Sequence, residues 1–565
     1  MQIQYIFSID RAQQHLIGIQ IEFKNRKKGK VDLVLPAWRP GRYERADFAA
    51  NILDFQVQAG KRHLDFHKTD RDTWTVPNCP QGRIRVSYSY FADTINAGSS
   101  YVDEQQLYVN PVNCCMHIKG EMEAEVLATL SVPPEFRYSG MQPMVDGAIR
   151  CKDLDEWYDS PFVSSAHLIQ HRFKASGIQF EVAVQGDVPY EKKRLESDFR
   201  KFIGIQKKAF KDCPVDRYTF LIQATPHRYY HGVEHEWGTT ITLGPSRQLF
   251  KENIYEDLLA VSSHEFYHTW NVKYMRPESM WPYDFTQENY HRIGYIIEGV
   301  TTYQGDLKLW QGGAMSDELF LKEIKTHLDR HVANFGRFNH SVRESSFDTW
   351  VDGYGKSIPE RRVSIYTEGA LIAFILDVSI MRRTKGQKSL DTVMRRLYQQ
   401  CKKKGRGYQE KDFLRYLEEI LGKEAKRIYA QLIDRAVGYE KELEKALQRI
   451  GIKYSKQKID ILASDYGIRT DSSDRPKVIG VHPESMAYEA GVRPGMQILG
   501  IDGQYVEGDA DALITRNELS LLLKSRKMLI VKELRPSDDM LYYQYELEFS
   551  RGSGAYWKRW KKGIF

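Results

Sequence analysis

The 565-residue chain lacks the features that several protein classes require. Its six cysteines, Cys79, Cys114, Cys115, Cys151, Cys213 and Cys401, include no C-x-x-C pair. That argues against a cysteine zinc site and for reduced thiols, with Cys114 and Cys115 read as small buried hydrophobes. No apolar run approaches the roughly 18 residues of a membrane helix. The best candidate, around Ala370 to Val378, is broken by Asp377. The opening MQIQYIFSID has neither a basic start nor an uninterrupted apolar core, so a cytoplasmic location is expected. Gly-rich phosphate loops, long repeats and low-complexity tracts are missing. The net charge of +7 is modest and no long basic block dominates the body, so no nucleic-acid partner is expected.

What is present is an ordinary globular composition, 42% hydrophobic and 28% charged, on a chain long enough for several cores. Alternating apolar residues (Ile3, Tyr5, Phe7, Ile9; Ile17, Ile19, Ile21, Phe23; Ile84, Val86, Tyr88, Tyr90) predict an antiparallel, sandwich-like β domain over residues 1–164. Within it, Leu35 to Tyr43 is a turn-rich segment whose Trp38 and arginines could line a cleft. Residues 165–452 begin with strands around Phe180–Val184 and Tyr218–Ile222 and a helix from Glu191 to Lys211, and then turn mostly helical. A polar segment, Lys453 to Lys458, reads as a linker. Residues 459–549 form a small unit of strands, turns and a short helix, and 550–565 form a basic aromatic tail. The fold class is α+β, multidomain.

The chemistry centres on His264-Glu265-Phe266-Tyr267-His268, an H-E-x-x-H pattern in a stretch free of Gly and Pro from Glu256 through Lys273. On a helix, His264 and His268 share one face and can reach one ion, while Glu265 can face a water beside it. A catalytic zinc has a third protein ligand. Glu298 is the best candidate, because a carboxylate among Ile296, Ile297 and Val300 is costly to bury unless a cation holds it. Asp284, Glu288 and Asp306 are rivals with more polar neighbours. Upstream, Gly232-Val233-Glu234-His235-Glu236 places acids at a strand edge just ahead of the metal helix. Strand alternation predicts Glu234 and Glu236 on one face. Tyr366, near a helix start, can donate to an oxyanion.

Several of these motifs, in order, resemble the M61 glycyl aminopeptidase family, gluzincin relatives of the M1 aminopeptidases and of thermolysin. H-E-x-x-H followed about thirty residues later by E-G-[FV]-T-x-Y is matched by His264 to His268 and by Glu298 to Tyr303. Trp38, Pro40, Gly41 and Tyr43 match its Trp-x-Pro-Gly-x-Tyr segment. Gly232 to His235 resembles the counterpart of the amine-binding motif of M1 enzymes. Ser485 to Gly503 resembles the helix and following strand of a PDZ domain. Two departures stand out: Glu368 occupies the place of a lysine after Tyr366, and Gly495-Met496 replaces a Gly-Asp turn.

The resemblance implies a thermolysin-like catalytic domain with a helical C-terminal part over 165–452 and a PDZ-like domain over 459–549. It implies a zinc-dependent aminopeptidase that releases small N-terminal residues such as Gly or Ala. Zn(2+) would be held by His264, His268 and Glu298, with Glu265 as base, Tyr366 as oxyanion donor, and Gly232, Glu234 and His235 facing the substrate amine. Its partners would be peptides with a free N-terminus and a possible peptide ligand of the PDZ domain. The alternatives are an endopeptidase on the same scaffold and a catalytically silent PDZ scaffold.

Overall fold

The computed structural model describes the whole chain except residues 355–357, 359, 406, 516 and 551–554. The predicted alternation forms an eight-stranded sheet. Its order runs Met144–Val145, Ala148–Cys151, Glu125–Ser131, Gln2–Arg11, Leu16–Asn25, Gly82–Phe91, Ile52–Ala59, Arg62–His63. All neighbours are antiparallel except Gln2–Arg11 and Glu125–Ser131, which run parallel with Ile3 opposite Val126. Ile3, Tyr5 and Phe7 are buried, as period two demands. Two four-stranded sheets pack with it. Buried tyrosines stitch the layers, Tyr5 donating to the Met116 carbonyl (2.7 Å) and Tyr88 to that of Cys114 (2.6 Å). This leaves Cys114 and Cys115 fully buried in the core.

The next unit is a five-stranded sheet, ordered Ile169–Ala175, Ile178–Gln185, Arg217–Ala224, Gly238–Gly244, Tyr229–His235. Its middle pairs are parallel, with helix α1 (Lys192–Phe210) as the crossover. The last strand is antiparallel and lies at the edge. Against this edge packs helix α2 (Glu252–Tyr267), followed by α3 (Thr301–Gly312), α4 (Asp317–Ala333) and α5 (Ile365–Arg383). Helix α5 is buried nearly all round, which explains its continuous apolar run. Asp377 does not break it, because the carboxylate accepts from Tyr303 (2.6 Å), the Leu390 amide (2.7 Å) and Trp560 (3.1 Å). No helix among the described residues is long and apolar enough to cross a membrane.

The C-terminal organisation differs from the expectation in two places. The segment expected as a linker is a strand, Ile452–Lys458, paired antiparallel with Tyr543–Phe549. The pair docks on α4, where Asp329 accepts from the Tyr545 amide (2.8 Å). The small unit with its own core therefore ends earlier than residue 549, at about Leu534. It holds a four-stranded sheet, the pair Ile468–Thr470 with Val478–Val481, and a short helix, Met486–Glu489, capped by Ser485. Met496, at the place of a turn acid, fills this core.

The expected basic tail is instead a docked helix, α6 (Ala555–Lys562). Trp560 is 1% exposed and packs edge-on to Trp310 (5.1 Å), and its carbonyl accepts from Gln311 (2.7 Å). Interleaved aromatics and bases here mark the two faces of an amphipathic helix.

Candidate functional site

Helix α2 carries His264 and Glu265, and His268 caps it. The helix does not continue evenly through Lys273 as its composition predicts. From Thr269 to Tyr274 the turn widens to i→i+5 bonding and kinks at Asn271 (φ −110°, ψ 77°). The cause is local: the Asn271 carbonyl is turned to meet the Nδ1 of His268 at 2.6 Å. That contact occupies Nδ1 as the donor and leaves Nε2 to face the site, where a metal would take it. The Asn271 side chain bonds the Ile296 and Ile297 carbonyls (2.9 and 3.3 Å) and the Thr301 hydroxyl (3.1 Å), tying the end of α2 to the segment that bears Glu298.

Glu298 lies in a second widened turn, Tyr295–Val300, ahead of α3. Such turns recur at functional sites. Its neighbour Gly299 meets Gly369 of α5 so closely that a Cβ on Gly299 would stand 2.3 Å from the Gly369 Cα. Likewise, Gly305 lets α3 lie on the His264 backbone, where a Cβ would approach to 3.2 Å. These contacts bring three donors together. The Nε2 atoms of His264 and His268 are 3.0 Å apart, and Glu298 Oε2 is 3.7 and 3.5 Å from them. The other carboxylate oxygen of Glu298 accepts from the Tyr43 hydroxyl at 2.8 Å. Among Asp284, Glu288, Asp306 and Glu298, the candidate third ligands, only Glu298 joins the histidines.

The electrostatics are those of a cation site. Burial pushes the Glu298 carboxyl up, but the two facing imidazoles hold it well below the usual carboxylate range. Burial pulls His268 down, while the Glu298 hydrogen bond and the Glu298, Glu234 and Glu265 charges hold it up at about 9. Burial dominates at His264 and lowers it. Two imidazoles and one carboxylate converging edge to edge suit a tetrahedral zinc, so the residues present fit the metal.

Glu265 is 5% exposed, and burial pushes its carboxyl well up, with His268 opposing and Glu234 and Glu298 adding. Its Oε2 has no hydrogen-bond partner among the described residues. Its Oε1 occupies space that a Cβ at Gly232 would invade, at 2.3 Å. Gly232 therefore makes room for the carboxylate of Glu265, where the expectation was an approach to substrate. Glu234, buried on the same edge strand, lies with Glu265 and His268 such that one atom of each falls within 4.8 Å of the others. The loop of the N-terminal domain presses on it from the far side, where a Cβ on Gly41 would stand 2.6 Å from Glu234 Oε2. Tyr366, at the start of α5, is half-buried. Burial and then the Glu298 charge push its phenol well up, so it stays a neutral donor.

Two expectations about neighbours are corrected, and the place of Glu368 is defined. His235 does not face the cleft: it alternates to the opposite side of the strand, with Nδ1 at 2.9 Å from Asp159 and Nε2 at 3.3 Å from Thr240. Glu236 does not share a face with Glu234, because the strand ends at His235. Glu236 falls in the following turn, its amide held by Asp159 (2.8 Å). Glu368 is not among the charges that act on Tyr366 most strongly. It points into the core, where His331 (2.9 Å) and the Tyr439 hydroxyl bind its carboxylate.

Sequence reasoning missed Tyr43, Asn271 and the Gly299–Gly369 contact. Tyr43 carried a signal, since its segment reads as cleft-lining. Trp38, however, is core, packed on Tyr283, Phe285 and Trp350. Asn271 carried none.

Family models agree with this geometry. The M61 glycyl aminopeptidase model matches residues 257–372, and the peptidase M61 N-terminal domain model matches residues 4–166. No curated protein sequence matches. Among solved structures, an aminopeptidase N family protein from Idiomarina loihiensis is 23% identical, covers 99% of both chains and superposes with a TM-score of 0.89. An M1 zinc metallopeptidase from Deinococcus radiodurans is 13% identical over 78% of this chain and 94% of that one, with a TM-score of 0.49.

Proposed function

Since the chain is a zinc metallopeptidase of the M61 glycyl aminopeptidase family, we propose that it releases N-terminal residues from peptides, small ones such as Gly and Ala above all. The observation that carries this reading is the position of Glu234. A buried carboxylate with no hydrogen bond or ion pair among the described residues stands next to Glu265 and His268. Such a group fits a substrate ammonium, and an ammonium fixed there sets the cut at the first peptide bond.

His264, His268 and Glu298 would hold Zn(2+), with Tyr43 and the Asn271 carbonyl orienting two of the three ligands. When bound, the metal polarises the scissile carbonyl and makes water acidic. Glu265, lifted by burial and with one oxygen unpartnered, takes the proton from the attacking water and returns it to the leaving amine. Tyr366 donates its hydroxyl to the oxygen that gains charge. Gly41 and the edge strand close in on Glu234, which favours a small first side chain.

The small C-terminal unit is PDZ-like in this reading. Its helix and the strand Val478–Val481 expose Met486, Tyr488 and Ile479, suited to a peptide laid along the edge. The test of the main reading is a screen of aminoacyl p-nitroanilides and N-acetylated counterparts, with and without chelator. Chelator-sensitive release from free-amine Gly and Ala substrates is expected. Efficient cleavage of blocked peptides would favour the endopeptidase.

A further inference from the structure

Arg39 is 3% exposed, and no carboxylate among the described residues lies within ion-pair distance of it. Its hydrogen bond is to the adjacent Pro40 carbonyl (3.2 Å). A guanidinium has five donors, and burying it with so few satisfied is costly unless something else meets them. Neighbouring arginines are served: Arg42 by Glu44, and Arg45 by Asp72 at 3.2 Å. Of the acids near Arg39, Glu44 is thus taken, Asp47 pairs with Arg71 (2.7 Å), and Asp93 accepts from Thr94 (2.9 Å).

Arg39 lines a groove of about 470 Å³ between its own loop and the 93–100 loop. Its guanidinium lies flat on Gly98, where a Cβ would stand 2.2 Å from Cζ. Any side chain at 98 would displace it. The same loop continues through Pro40 to Gly41, which abuts Glu234. One short loop thus presents a buried, unpaired cation beside a buried, unpaired anion; the Glu234 charge is felt at Arg39, and the Arg39 charge at Glu265. A ligand complementary to both is a zwitterion.

We propose that Arg39 forms a carboxylate-binding subsite adjoining Glu234, so that the protein selects substrates with a carboxylate near the free amine. That carboxylate is either the C-terminus of a dipeptide or an acidic side chain. The position of the ammonium rests on the aminopeptidase reading, and the experiment separates the two. Binding is measured by calorimetry on the full-length Glu265→Gln protein, with and without Arg39→Gln, for two matched pairs that keep a small first residue: Ala-Gly against Ala-Gly-amide, and Ala-Glu-amide against Ala-Gln-amide. At least one pair should show about tenfold tighter binding of the acid, a preference that Arg39→Gln abolishes. The first pair reports a terminal carboxylate and the second a side chain.

If Arg39→Gln does not fold, Gly98→Ala replaces it: the added Cβ displaces the guanidinium and should abolish the preference seen in the unmodified loop. No preference in either pair, or one that survives Arg39→Gln, overturns the subsite. Turnover of Ala-p-nitroanilide, which has no carboxylate, reports on the aminopeptidase reading alone. Its absence would sink that reading while leaving the calorimetric outcome decisive for Arg39.

Discussion

Two Glu-Gly pairs meet at the centre of this molecule. Gly299 and Gly369 touch where the Glu298 segment crosses α5, and each has a buried glutamate just before it. The two carboxylates start from one crossing and go to opposite fates. Glu368 is satisfied by the protein: His331 and Tyr439 bind it, and these partners hold it below the usual carboxylate range against burial. Glu298 is met by two imidazoles whose Nε2 atoms face each other at 3.0 Å, an arrangement one cation resolves. Burial alone therefore does not mark a ligand. What marks it is whether the groups around the carboxylate are themselves satisfied without an ion.

The largest expected effect tests the Glu298 side. Glu265→Gln should keep zinc, by metal analysis of the purified protein, and lose about 10²–10⁴ in kcat. Glu298→Gln should lose zinc as well as activity. Full turnover in Glu265→Gln would remove the base from the mechanism. The converse test writes the lysine of the resemblance into this chain. Glu368→Lys places a cation against His331, with Arg337 nearby, and should cost roughly 3–5 kcal/mol in chemical denaturation while zinc content per folded molecule stays unchanged. Loss of zinc at unchanged stability would mean that the two glutamates are not separate in role.

Next in size is Glu234→Ala. Removing the partner of a buried ammonium should cost about 2–5 kcal/mol in transition-state binding, roughly 30-fold or more in kcat/KM on a glycine amide. An acetyl-glycine amide should lose little. Equal losses on both substrates would make Glu234 a wall of the cleft. Tyr43→Phe comes after it: the hydroxyl holds Glu298 from the N-terminal domain, and its loss should weaken zinc about 10–100-fold in a chelator competition. Unchanged affinity would assign the orientation of Glu298 to α5 and Asn271.

How far the sequence reaches follows the same division. Period-two alternation located the first sheet, and H-E-x-x-H with a carboxylate in an apolar run located the three converging donors, because both signals are local. Tyr43 is 255 residues from the atom it binds, and Asn271 acts through a kink that no propensity predicts. The docked α6 reads as a tail in the sequence because its aromatic face has meaning only once Trp310 and Asp377 are in place. His235, implied by the resemblance, lies on the opposite face by simple alternation, and Glu236 fails for a smaller reason. Alternation at Glu236 runs one residue past the end of the strand.

Asp159 gives the smallest effect and a third kind of buried carboxylate, one that joins domains. It ends the N-terminal β domain and accepts from Lys273, beyond the metal helix, at 2.9 Å, with His235 at the same distance. Burial pushes its carboxyl up, but Lys273 and His235 hold it well below the usual range. A group whose folded pKa is depressed contributes stability that is fully present above its unfolded value, about 3.9, and is lost as pH falls toward the folded value. Burial keeps His235 neutral, so its titration adds a loss on the same acid side. Chemical denaturation from pH 6 to pH 3 should show the wild type losing more stability than Asp159→Asn. The variant keeps one acceptor, but its amide nitrogen opposes the Glu236 N–H, so it should begin about 1–2 kcal/mol lower at pH 6. The two curves should converge as the wild-type carboxylate protonates. Parallel curves would mean that Asp159 holds the domains together by shape and hydrogen bonding, without its charge.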